Sequence, residues 1–276
     1  MRLESATLQE IYSIRGQVQL DYVRDRTAAH WVGFFLPHLR SGMSLLDCGC
    51  GVGSITLDLA RLVAPGQVVG IDIDPQQVEL ARSLSNDRGI ANVRFETGNV
   101  YALPFPAASF DAVLAHTLLL HLNDPLRALC QMRRVLRPGG VIGVADDDYG
   151  TVVSSSSSPL LSRLGELWVR LLQHNGGSPY YARHLRRLLL EAGFARTEGH
   201  AVASEYYGTQ EATQRFARLV TYLVYLPALR KLAADLGWAD DCMLDSMIAE
   251  LQSWAGNPDS FLAWMYCAAV GWVERG

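Results

Sequence analysis

Ten residues, LLDCGCGVGS at 45–54, constrain the fold more than any other part of the chain. An apolar run that contains Asp47 is followed by three alternating glycines, Gly49, Gly51 and Gly53. Glycine lets the backbone turn tightly and approach a ligand without an intervening Cβ, and the first N–H groups of a following helix are available to bind that ligand. The pattern therefore predicts a strand, a ligand-binding loop and a helix in immediate succession.

The chain after this loop alternates between strand-like and helix-like patterns. Asp74–Pro75 and Asp124–Pro125 are typical of helix N-caps followed by proline in the first turn. Alternation of this kind predicts a parallel sheet covered by helices on both faces. Including the first strand, we predict strands at 45–48, 67–73, 93–97, 110–116, 141–146, 195–204 and 261–273.

Three parts of the chain have different patterns. Residues 1–42 are expected to form a helical lid, and residues 43–208 with 257–276 the core of the sheet. Residues 209–256 are expected to form a largely helical, substrate-binding insertion, because the segment is rich in large apolar and aromatic residues.

A second binding element follows the loop by about twenty residues. Asp72, at the end of the second strand, suits the acceptance of two hydrogen bonds from ribose hydroxyls. Asp74 is better explained as the N-cap of the next helix.

Several motifs in order carry a family resemblance: LLDCGCGVGS, VVGIDIDPQQVELAR, VRFETGNVYALPFPAASFDAVLAH and RRVLRPGGVIGV. The series resembles the class I S-adenosylmethionine-dependent methyltransferases, in particular the ubiquinone/menaquinone-biosynthesis-like small-molecule group. The match is dense over residues 40–146 and loose elsewhere. The resemblance implies an α/β, Rossmann-like doubly wound seven-stranded sheet, mostly parallel with an antiparallel last strand, plus a helical lid and insertion. It also implies S-adenosyl-L-methionine as cofactor and methyl transfer to a small, partly apolar or aromatic metabolite.

The resemblance also implies residue roles. Asp47 and the three glycines match the motif around the methionine moiety, Asp72 the ribose-binding acid, and Ile73 the apolar contact to adenine. Asn99 departs from the usual aspartate but can accept through its carbonyl oxygen, with Val100 supplying a backbone N–H. The remaining cofactor contacts expected are Ala115 and His116 at the methionine end and an aromatic of the lid, Tyr22 or Tyr12, in a segment that also contains Trp31.

Catalytic groups are sought beyond the carboxyl ends of the fourth and fifth strands, where doubly wound sheets bind ligands. His116 and His121 are candidate bases, with His116 ranked first as a contact, because histidine titrates near neutral pH. Asp146, Asp147 and Asp148 are expected to follow the fifth strand as solvated or capping acids. We predict no metal site.

Composition narrows the function class. The formal net charge is −4, which argues against a nucleic-acid substrate. The five cysteines form no C-x-x-C pair and no apolar run is long enough to span a bilayer. We therefore expect a cytoplasmic protein that acts on a small molecule and has no membrane span, and the aromatic insertion would allow a homodimer.

Two rival classes lack their motifs. A short-chain dehydrogenase needs a Tyr-x-x-x-Lys pair, but the single lysine, Lys231, has Pro227 four residues before it. A nucleic-acid amino-methyltransferase needs an Asn/Asp-Pro-Pro-aromatic tetrapeptide where this chain has residues 115–118, AHTL. One alternative stays open: the cofactor fold could serve as a scaffold for a non-methylating reaction such as cyclisation, or as a non-catalytic partner.

Overall fold

The computed structural model describes residues 16–203 and 209–275, which form one seven-stranded sheet flanked by helices. The strands are Leu45–Cys48 (β1), Val68–Asp72 (β2), Val93–Thr97 (β3), Phe110–His116 (β4), Leu136–Ser154 (β5), Arg196–Ala203 (β6) and Leu262–Trp272 (β7). Their order in the sheet is β3-β2-β1-β4-β5-β7-β6. The predicted α/β class and strand number are confirmed.

Strands β1 to β5 pair in parallel, and β7 pairs antiparallel with both β5 and β6. The predicted antiparallel last strand is therefore confirmed. The strand order reverses between β1 and β4, because β2 and β3 lie on one side of β1 whereas β4 and β5 lie on the other. In open α/β sheets such a switch point opens a crevice at the carboxyl ends of the strands. The glycine loop follows β1 directly, so it lies at this crevice.

Helices connect the strands with the expected caps. They are Gln17–Arg24 (α1), Ala28–Trp31 (α2), Ser54–Val63 (α3), Pro75–Asp87 (α4), Pro125–Val135 (α5), Pro159–His174 (α6), Leu185–Glu191 (α7), Gln210–Val224 (α8), Pro227–Asp235 (α9) and Asp241–Gly256 (α10). The Asp74 carboxylate accepts from Gln76 N–H at 2.9 Å, and the Asp124 carboxylate from Arg127 N–H at 3.0 Å. Both predicted N-caps are confirmed.

The two faces of the sheet have separate cores, because neighbouring residues of a strand point to opposite faces. Leu46 and Val113 pack in the core that contains residues of α5 and α7, whereas Leu45 and Leu114 pack with residues of the N-terminal segment and α3. By the same alternation, Asp47 and His116 lie on the face of Leu45 and Leu114, which packs with the N-terminal segment and α3. A third core joins α6 to the helices of residues 210–256.

One predicted boundary is wrong. Strand β5 does not end at Asp146 but continues to Ser154, pairing with β7 from Val141 onwards. Asp146, Asp147 and Asp148 therefore lie within the strand, with 0%, 6% and 0% of their surface exposed, and are not solvated acids in a loop.

The N-terminal segment is helical where the structure describes it, with α1, α2 and a 3₁₀ turn at Leu36–His38. Tyr12 lies outside the described residues. In residues 16–203 and 209–275, no helix has the length and apolar character needed to cross a membrane.

Candidate active site

The glycine loop turns through three left-handed residues. Gly49, Gly51 and Gly53 have φ of 74°, 53° and 79°, a region that residues with a Cβ rarely adopt. A Cβ at Gly53 would lie 2.7 Å from Phe95, so this glycine is needed for packing, whereas a Cβ at Gly51 would meet nothing within 4 Å. Open space in front of Gly51 is where a ligand can approach the backbone.

Asp72 links this loop to the end of β2. One of its carboxylate oxygens accepts from Gly51 N–H at 2.9 Å and the other from Asp74 N–H at 3.0 Å. Burial raises the pKa of Asp72, and the two backbone hydrogen bonds lower it in part. Each oxygen keeps a lone pair, so Asp72 can fix the loop and still accept hydroxyl hydrogen bonds.

Asp47 lies at the bottom of the loop and is only 3% exposed. Its carboxylate accepts from the Thr56 hydroxyl of α3 at 2.6 Å. Burial raises the pKa of Asp47 to about 7, against the opposing effect of the Thr56 hydrogen bond. The group therefore exchanges a proton near neutral pH.

The residues that follow β2 and β3 suit the binding of a planar nucleobase. Ile73 is 72% exposed, an unusual exposure for isoleucine directly after a buried strand. The Asn99 carbonyl oxygen accepts from Tyr101 N–H at 2.9 Å, and Val100 is buried. The Asn99 oxygen thus retains one acceptor position.

His116 closes β4 and is 8% exposed, while Ala115 is fully buried on the opposite face. The His116 Nε2 atom is buried and has no hydrogen-bond partner among the described residues. Burial, with a smaller effect from Arg26, lowers the pKa of His116 to about 3. The ring is therefore neutral at pH 7 and has a low affinity for a proton, which favours its role as a contact over its role as a base.

His121 ends a 3₁₀ turn at Leu119–His121 that follows β4. Burial lowers its pKa to about 4. It is therefore a weaker base than a free histidine.

The three acids of β5 each have a different environment. Asp148 forms a bidentate pair with Arg183, with both N···O distances 2.6 Å, which lowers the pKa of Asp148 against the opposing effect of its burial. Asp147 accepts from Trp264 Nε1–H at 2.6 Å. Asp146 faces the backbone amides of residues 118–120 without a hydrogen bond of good geometry, and burial raises its pKa well above the usual range. Asp147 and Asp148 are therefore each held by a side-chain donor, whereas Asp146 is not.

The N-terminal segment contacts both the loop and the insertion. Ser54, at the start of α3, donates to the Val23 carbonyl at 2.7 Å. Arg215 of α8 donates to the Asp21 carbonyl at 2.7 Å, and its guanidinium lies 5.5 Å from the centre of the Tyr22 ring. Tyr22 is thus held between the loop region and the helices of residues 210–256.

Comparison with known proteins identifies the family. A family model described as a methyltransferase domain matches residues 46–144. The demethylmenaquinone methyltransferase of Lactococcus lactis is 30% identical over 184 residues, which cover 60% of this chain and 73% of that protein. The chain belongs to the class I S-adenosylmethionine-dependent methyltransferases. This methyltransferase is also 26% identical over 266 residues to the probable methyltransferase ltbC of Aspergillus luteorubrus, covering 90% and 91% of the two chains.

A solved structure extends the likeness to the whole described fold. The crystal structure of the [4+2]-cyclase SpnF is 27% identical, with a TM-score of 0.58, and the match covers 94% of this methyltransferase and 84% of that chain. The predicted family and the S-adenosylmethionine cofactor are confirmed.

The methyltransferase has a site that fits this cofactor. Gly51 leaves open space above the loop, Asp72 has acceptor capacity for the ribose, and Ile73 presents an exposed apolar side chain for adenine. The buried, unpaired Nε2 of His116 marks a polar position at the methionine end. The individual contacts stay predictions.

Sequence reasoning missed three residues on the His116 face of the methyltransferase: Arg26, Trp264 and Tyr266. Trp264 and Tyr266 alternate along β7, a period that indicates one shared face, but the surrounding apolar run resembles plain core. Arg26 has no local signal, because only the fold brings its guanidinium to 4.6 Å from the centre of the Trp31 ring.

Proposed function

We propose that this methyltransferase transfers the methyl group of S-adenosylmethionine to a small, partly apolar or aromatic metabolite. The observation that carries the proposal is two groups of aromatic side chains, one beside His116 and one nearer the insertion. Trp31 lies 5.7 Å from His116 and 5.8 Å from Tyr266, measured between ring centres. Farther along, Trp264 lies 6.0 Å from Phe216 of α8. Such side chains suit a flat or apolar acceptor.

When bound, S-adenosylmethionine supplies a methyl group on a sulfonium, whose C–S bond breaks with its electron pair left on sulfur as the bond to the acceptor forms. The protein's part is alignment and the exclusion of water. Asp72 would hold the ribose, Asp47 the ammonium group and Ile73 the adenine. His116, as a neutral ring, would contact the reacting end, and His121 remains the second candidate base.

The two walls of this site come from different parts of the chain. We assign residues 1–42 to the lid and residues 209–256 to the acceptor side, around the core of 43–208 and 257–276. The contacts of Tyr22 and Val23 with Arg215 and Ser54 support the assignment, because they join the lid to both the insertion and the loop.

Calorimetric titration tests the cofactor part of the proposal. Wild-type protein should bind S-adenosylmethionine and S-adenosylhomocysteine with micromolar affinity and should not bind NAD. Asp72→Asn should weaken both at least tenfold, because it removes the charge that accepts the loop and ribose hydrogen bonds. Asp87→Asn, an exposed acid at the end of α4, is the matched control and should leave affinity unchanged. Wild-type affinity in Asp72→Asn would contradict the assignment.

A second function is favoured by the likeness to the cyclase SpnF. The cofactor fold would then hold an acceptor while the acceptor rearranges, with no methyl group transferred. Incubation with candidate acceptors and S-adenosylmethionine separates the two. Formation of S-adenosylhomocysteine in proportion to product supports transfer, whereas an isomeric product of unchanged mass without S-adenosylhomocysteine supports the scaffold.

A further inference from the structure

Three buried polar atoms on the His116 face have no hydrogen-bond partner among the described residues. They are His116 Nε2, Tyr266 Oη and Arg26 Nε. A buried polar atom without a partner costs free energy, and most such atoms in proteins are paired. Three of them in one neighbourhood point to a ligand that supplies the partner.

The three groups surround one indole ring. The Arg26 guanidinium lies 4.6 Å from the centre of Trp31, while His116 and Tyr266 lie 5.7 Å and 5.8 Å from it. His116 and Tyr266 are 5.7 Å apart and are 8% and 5% exposed. The cluster thus combines a guanidinium, a phenol and an imidazole beside a flat apolar surface.

The donors in this cluster favour an oxygen over an amine. Arg26 places a positive charge next to the site, and its Nε–H is a donor. Asp147, on the same face, accepts from Trp264 Nε1–H; burial raises the pKa of Asp147, and the charge of Arg26 lowers it in part. A phenolic oxygen has enough lone pairs to accept from Arg26 and Tyr266 together, whereas an amine nitrogen has only one. Thr117 lies close enough to influence the Tyr266 hydroxyl, but the two form no hydrogen bond of good geometry.

We infer that Arg26, His116 and Tyr266 form the acceptor oxygen site, and that the acceptor is a phenol or an enol methylated on oxygen. The inference rests on the proposed function and gives it a substrate class. The acceptor hydroxyl loses its proton to water and binds as the oxyanion. The new O–CH₃ bond then forms as the S–CH₃ bond breaks, so that the negative oxygen and the positive sulfur are both neutralised.

A pair of probes of equal size tests the site. Protein saturated with S-adenosylhomocysteine is titrated at pH 8 with 4-nitrophenol and with 4-nitroaniline, which carries an amine in place of the hydroxyl. Wild-type protein should bind the nitrophenol about tenfold more tightly, the effect of hydrogen bonds to a charged oxygen. Tyr266→Phe and Arg26→Gln should each remove most of this preference and leave nitroaniline binding unchanged. Tyr180→Phe, on an exposed tyrosine outside residues 209–256, is the matched control.

The outcomes separate this site from the cofactor site. Equal affinity for the two probes, or no binding of either, would overturn the oxygen site. A loss of S-adenosylhomocysteine affinity in Arg26→Gln, with the nitrophenol preference intact in Tyr266→Phe, would also overturn it by assigning Arg26 to the cofactor carboxylate. Failure of the proposed function is distinct, because S-adenosylhomocysteine would then not bind wild-type protein at all.

Discussion

Lowering the pH from 7.5 to 6 is expected to weaken S-adenosylmethionine binding about eightfold, because Asp47, to which we assign the ammonium group, must lose a proton to hold it. Its pKa is raised to about 7 by burial. For a group that binds only when ionised, affinity falls by the factor 1 + 10^(pKa − pH). That factor is about 11 at pH 6 and about 1.3 at pH 7.5, and their ratio gives the expected change.

The direction of the pH effect on affinity follows from the raised pKa of Asp47. Because the free protein carries the proton below pH 7 and the complex does not, binding releases it, and affinity declines as pH falls through the pKa. At pH 6 about 0.9 proton should be released per site. Calorimetry in two buffers of different ionisation enthalpy measures this number directly.

Asp47→Asn provides the control for this measurement. The variant lacks the titrating group, so its affinity should be lower at pH 7.5 and nearly independent of pH between 6 and 7.5. Thr56 can still hydrogen-bond the amide, which keeps the local packing. Equal dissociation constants at the two pH values in wild-type protein, or the same pH dependence in Asp47→Asn, would refute the reasoning.

Four further substitutions test local features. Gly53→Ala should destabilise the protein by about 3 kcal/mol in urea unfolding, because its Cβ would meet Phe95. Gly51→Ala should cost only about 1 kcal/mol of stability but weaken cofactor binding, seen by calorimetry. Arg183→Met should lower the unfolding free energy at pH 7, because the buried Asp148 carboxylate loses its partner, and the difference from wild type should narrow below pH 3.8 as Asp148 is protonated. Trp264→Phe should cost about 1 kcal/mol at pH 7 by removing the donor to Asp147. These assignments would be contradicted by a smaller loss of stability in Gly53→Ala than in Gly51→Ala. They would also be contradicted by unchanged stability in Trp264→Phe, or by an effect of Arg183→Met on stability that does not depend on pH.

The parallel half of the fold could be predicted from local sequence. Strands 93–97 and 110–116 and the helix at 54–63 have the expected bounds, because caps, glycines and apolar periods mark each end within a few residues. The loop after β1 and the Asp72 position were predictable for the same reason.

The antiparallel half could not be predicted in this way. Strand β5 continues through three aspartates, which have a low preference for strands. Two of them have partners distant in sequence: Trp264 bonds to Asp147 across 117 residues and Arg183 to Asp148 across 35. Arg26 and Tyr266 could not be predicted for the same reason, because they are distant from His116 in sequence and approach it only in the folded protein.

The position of β7 between β5 and β6 has a consequence for the order of folding. Strands β1 to β5 are joined by short connections, of one helix or one loop each, and can pair as the chain emerges, whereas β7 must close loops of more than a hundred residues to reach β5. Contacts of such separation slow folding. The cofactor crevice can therefore be assembled before Tyr266 and Trp264 arrive, so refolding should restore S-adenosylhomocysteine binding earlier than native tryptophan fluorescence.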